Sequence, residues 1–101
     1  MSELHTVNKS PFEKSSFDSC VGHVLEGSAV LLYEDGVYAA MKGTAAEGKV
    51  KSAQGVKFYV LGPDLKARGL STDRVTDGIE IVDYAGFVDL AAEHGKVVAW
   101  V

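Results

Sequence analysis

Ala29, Val30, Leu31, Leu32 and Tyr33 form an apolar run without a break, and that continuity constrains the chain more than any other stretch. A strand with one wet face alternates apolar and polar residues, whereas a strand covered on both faces does not. This run is therefore expected to be a central parallel strand with helices above and below. Four further strand-type segments share the chain: Leu4 to Val7, Lys57 to Leu61, Ile79 to Val82, and Val97 to Val101 with Trp100.

The stretches between them carry helical signals. Ser10, Pro11 and Glu13 have the form of a helix start, with Ser10 as cap and Glu13 completing a capping box. Phe17, Cys20, Val21, Val24 and Leu25 then recur at three- and four-residue spacings on one face, and Gly27 offers a left-handed stop. After the central strand, Glu34, Asp35 and Gly36 give a turn and a cap for a short helical segment from Val37 to Met41, ending near Gly43. Residues 43–55 are small and polar, with a weak helical period in Ala45, Ala46, Val50 and Ala53. Gly62, Pro63 and Asp64 open a brief helix through Leu65, Ala67 and Arg68 that Gly69 can close, and residues 71–78 read as loop. Asp83 can cap a last helix, faced by Tyr84, Phe87, Val88 and Ala91 and ended by Gly95. Strands alternating with helices predict an α/β fold: a three-layer α/β/α sandwich with a mostly parallel sheet of about five strands. With 101 residues there is room for one core, so residues 1–101 are expected to form a single domain.

Composition removes several classes of function. The formal charge of -4 and the pI of about 5.2 oppose a phosphate-tracking surface. The ten basic residues are scattered singly, Lys49 and Lys51 being the closest approach to a cluster, so direct nucleic-acid binding is not expected. The opening residues lack the basic start and apolar run of a signal peptide, and no later run has membrane-spanning length; a cytoplasmic protein is expected. The single cysteine excludes an internal disulfide, a CxxC redox pair and a cysteine-rich metal site. Neither GxGxxG nor Walker sequences occur, and the loop after the first strand has no glycine to bring backbone amides close to a phosphate. No nucleotide cofactor is expected.

Each chemistry-bearing residue has a plain structural alternative. Lys9, near the expected first-helix N-terminus, could hold a small anion but reads more simply as a solvated lysine. Cys20 shares a helix face with Phe17 and Val24, the pattern of a buried apolar cysteine. As a reactive thiol it would lie in the later half of its helix, away from the stabilising end of the dipole, with only His23 three residues on to favour a thiolate. His5 and His94 have no partner at metal-site spacing, so no metal is expected. Glu34 and Asp35 stand where a strand ends, where acid–base chemistry is possible, yet capping by Asp35 is the simpler reading. No Ser-His-Asp or Cys-His-Asn set is present, so a self-sufficient enzyme is not expected.

Four segments together carry a family likeness: LHTVNKSPF at 4–12, LLYEDGVYAA at 31–40, LGPDLKARGL at 61–70 and DYAGFV at 83–88. They resemble, in colinear order from Leu4 to Trp100, the DsrH family, also called TusB. The resemblance implies a subunit of a DsrEFH- or TusBCD-type sulfur-relay complex, a heterohexamer with DsrE/TusD-like and DsrF/TusC-like companions that passes persulfide sulfur to a downstream acceptor protein. In the sulfur-oxidiser branch the subunit carries a cysteine on its first helix, and Cys20 matches that position as an auxiliary sulfur carrier. This leans the assignment toward DsrH and dissimilatory sulfur oxidation, with 2-thiolation of the tRNA wobble uridine as the alternative. In both branches the principal sulfur-accepting cysteine resembles one on the DsrE or TusD companion. Two rivals remain: a purely structural subunit of the hexamer, and a free-standing small-ligand binder.

Overall fold

A computed structural model describes residues 2–101. Five strands, β1 (Glu3–Val7), β2 (Ala29–Leu32), β3 (Lys57–Leu61), β4 (Ile79–Val82) and β5 (Lys96–Trp100), form one sheet in the order β4-β3-β2-β1-β5, every pair parallel. The unbroken run is β2, buried at every residue and flanked by β1 and β3, as expected of a strand covered on both faces.

The register assigns side chains to faces. Val7, Val30, Leu32, Phe58, Val60 and Ile79 point to the larger core, filled from the helical side by Phe17, Cys20, Val37, Val50 and Leu65. These come from α1 (Ser16–His23), a 3₁₀ segment (Glu34–Ala40), α2 (Ala45–Ser52) and α3 (Gly62–Ala67). Leu4, Ala29 and Leu31 point the other way and meet Leu90, Phe87 and Ala91 of α4 (Tyr84–Glu93). The result is three layers with unequal covers: four helical segments on one face and α4 alone on the other.

Two expected helix starts differ. Ser10 serves a turn, not a helix: its hydroxyl accepts from the Phe12 N–H, and its carbonyl accepts from the N–H groups of Glu13 and Lys14. That closes the turn on itself, and α1 begins only at Ser16. Asp83, by contrast, caps α4 as expected, its carboxylate accepting from the Gly86 N–H at 2.9 Å. The weak period in residues 43–55 is a real helix, α2, which buries Ala46 and Val50. At its start the Glu47 carboxylate accepts from the Gly43 N–H, a bond that, with Lys51 and Lys42 nearby, holds its pKa below the usual value.

The face chosen for α4 is a correction. Tyr84 and Val88 are exposed, while Leu90 is the buried residue, with Phe87 and Ala91 half-buried. A helix that is apolar at positions 84, 85, 87, 88, 90, 91 and 92 does not specify which arc turns inward; the position of the sheet does.

Candidate functional site

Cys20, the residue the family resemblance puts forward as a sulfur carrier, lies in the larger core at 0% exposure. Burial pushes its thiol from 9.0 up to about 12, so the reactive thiolate is almost absent at neutral pH. It is the fifth of eight residues in α1, and no positive group offsets the desolvation. His23 turns elsewhere: its Nδ1 lies 2.7 Å from the Ser19 carbonyl oxygen, and its ring leans on Trp100 with centroids 5.6 Å apart. Lys9 stands exposed seven positions before α1 begins, so it is not at a helix N-terminus.

The expected cap by Asp35 is replaced by a cross-strand arrangement. Asp35 instead binds Arg68, whose Nε and terminal nitrogen both lie 2.9 Å from Oδ1. The 3₁₀ segment is capped from a distance by Asp64, whose carboxylate accepts from the Glu34 N–H at 2.6 Å. Asn8 donates to the Glu34 carboxylate at 3.2 Å. Glu34 is held at φ 48, a left-handed conformation that costs a non-glycine residue about 1 kcal/mol. Asn8, Glu34 and Asp64 each follow closely on β1, β2 and β3, so the group gathers at the C-terminal rim of the sheet, where open parallel sheets bind ligands. Beside it lies an open hollow of about 290 Å³ lined by Ser10, Phe12, Glu13, Asp35 and Tyr38. Sequence reading found Glu34 and Asp35 but missed Asn8, Asp64 and Arg68. Their common position just past parallel strands was the available signal. The rim is rich in carboxylates, but it contains no nucleophile beside a base.

His5 is the second buried titratable group, 3% exposed in the middle of β1. The Trp100 indole N–H donates to its Nδ1 at 2.9 Å, and its Nε2 lies 3.1 Å from a Glu3 oxygen. An indole only donates, so Nδ1 must accept and Nε2 carries the proton that Glu3 receives. His5 thereby ties β1 to β5, the edge strand, rather than serving a metal. Among the described residues no group of three or more His, Cys, Asp or Glu could hold a metal ion, and no helix is long and apolar enough to cross a membrane. Replacing Trp100 with Phe should leave Nδ1 buried without a donor and lower the unfolding free energy by about 1–3 kcal/mol, read from the urea midpoint.

Comparison with known proteins gives a consistent placement. The family described as "DsrH like protein" matches residues 9–97. The curated "Protein TusB" of Pectobacterium parmentieri is 38% identical over 97 residues, covering 96% of this chain and 99% of that protein, and the "Protein TusB" of Escherichia coli gives the same figures. Among solved structures, the ychN protein from E. coli superimposes with a TM-score of 0.81 at 19% identity, covering 98% of this chain and 99% of its own. A protein of unknown function from Methanobacterium thermoautotrophicum gives 0.78 at 19% identity, covering 97% of each chain. These two structural likenesses establish the shared fold.

Proposed function

This chain belongs to the DsrH-like family, and from that premise we propose that it is the TusB-type subunit of a sulfur-relay complex serving 2-thiolation of the tRNA wobble uridine. The observation that carries this reading is the 38% identity to TusB proteins over nearly the whole chain. The lean toward dissimilatory sulfur oxidation rested on Cys20 as a first-helix carrier, and a cysteine shut inside the core gives that lean no support. Thiolation therefore becomes the main reading.

The chemistry of the relay belongs to its thiolates. An acceptor cysteine attacks the outer sulfur of a donor persulfide; a new S–S bond forms, the donor S–S bond breaks, and the donor leaves as a thiolate. With its thiol protonated and enclosed, Cys20 does not enter this exchange, and the sulfur passes through a cysteine on the TusD-type companion. The present chain binds and positions TusC- and TusD-type subunits. The carboxylate-rich rim around Glu34, Asp35 and Asp64 and the acidic balance of the chain make direct tRNA binding by this subunit unfavourable, leaving the RNA to a downstream acceptor.

Deleting the chain's gene in its own bacterium should abolish or strongly reduce 2-thiouridine at the wobble position, measured by mass spectrometry of tRNA nucleosides. Re-expression of either the wild type or Cys20→Ala should restore it. Undiminished thiolation in the deletion would overturn the TusB reading, and rescue by the wild type but not by a folded Cys20→Ala would return Cys20 to the relay.

A further inference from the structure

The cover of the sheet is incomplete on the α4 side. The register pairs Leu4 with Val97 and Thr6 with Ala99, so Val97 and Ala99 of β5 project to the same face as α4. Tyr84 and Val88 lie on one flank of α4, while Gly86, Asp89 and Glu93 on the opposite flank stand over Tyr59 and Glu80 of β3 and β4. The Tyr84–Val88 flank therefore looks toward β1 and β5. Together these residues form an apolar strip running from α4 to the free edge of the sheet, with Tyr84 61%, Val88 67% and Val97 48% exposed. Among the described residues no strand pairs with the outer edge of β5. Large apolar side chains gathered on one face in this way mark an interaction surface.

The charges around the strip decide between partners. Asp83 heads α4, and Asp89 and Glu93 stand exposed on its far side. The nearest cation, Lys96, is already paired with Glu3 at 3.9 Å. Two copies of this chain meeting about a twofold axis would bring these acidic rims together, which opposes a self-complementary contact. We propose that the strip of Tyr84, Val88, Val97 and Ala99 docks one of the companion α/β subunits, through an apolar surface rimmed by Lys or Arg. This rests on the TusB reading and specifies where the subunit meets its complex.

The test is capture of co-expressed TusC- and TusD-type companions by the tagged full-length chain. The double variant Val88→Lys with Ala99→Lys places charge at the centre of the strip on two exposed sites, and its thermal unfolding should match the wild type. Capture should fall about tenfold or more, as expected for the centre of an interface, while Leu25→Lys, an exposed apolar site outside the strip, should capture normally. Asp89→Lys should weaken capture and make it less sensitive to salt. Full capture by the folded double variant would overturn the docking surface and leave the TusB reading standing. A wild type that captures neither companion would remove the complex itself and the proposed occupant with it. A wild-type dimer that Val88→Lys disperses would overturn the choice of a different partner in favour of a second copy.

Discussion

Gly36→Ala should be among the most damaging single substitutions in the chain. Gly36 is buried at the start of the 3₁₀ segment, its N–H donating to the Tyr33 carbonyl at 2.8 Å. A Cβ there would stand 2.1 Å from the Val7 carbonyl oxygen and 2.9 Å from its carbon. Those are backbone atoms, and the same Val7 oxygen accepts from the Tyr33 N–H, so relief requires parting the ends of β1 and β2. A loss on the order of 4 kcal/mol is expected, a large share of the roughly 5–15 kcal/mol that holds a domain of this kind folded. Gly48→Ala provides the opposite sign. Gly48 lies inside α2 with no atom within 4 Å of an added Cβ, so alanine should stabilise by about 0.5–1 kcal/mol. Urea unfolding of the pair checks both; an unchanged midpoint for Gly36→Ala would mean that the strand ends yield where the packing says they cannot.

The second large effect is the silence of Cys20. Its thiol pKa of about 12, against 9.0 for a free thiol, lowers the thiolate fraction at pH 8 by about three orders of magnitude. Alkylation in the folded chain should therefore be at least about a thousandfold slower than in the urea-unfolded chain. The same shift has a consequence for stability. Below pH 9 both states hold the proton and the contribution is complete. As pH rises toward 12 the unfolded thiol ionises while the folded one does not, so stability is lost across that interval. Lysines and tyrosines titrate there too, so the readout is the difference between wild type and Cys20→Ala, whose unfolding free energy should fall less steeply with alkaline pH. In the assembled complex, persulfide mapping after exposure to a sulfur donor should find sulfur on a companion cysteine and none on Cys20. Rapid labelling of Cys20 within the complex would show that assembly opens the core and would restore the carrier role.

Five strand segments, their alternation with helices and the burial of β2 on both faces were legible in the sequence, because each depends on local apolar pattern and a covered parallel strand needs no alternation. The cap at Asp83 was legible for the same reason, since a cap and its helix are neighbours in the chain. The burial of Cys20 was favoured by its helical spacing to Phe17, although the extent of its thiol shift depends on how completely the sheet closes over it. What tertiary structure alone decided involves residues far apart in sequence. Asp64, 30 positions from Glu34, does the capping that Asp35 was expected to do, and Trp100 finds His5 across 95 positions. Gly36 looks like an ordinary turn glycine until β1 is placed against it. The orientation of α4 was undetermined for a different reason: a helix apolar around most of its circumference can bury several arcs, and only its seat on one half of the sheet leaves Tyr84 and Val88 outside beside an uncovered β5.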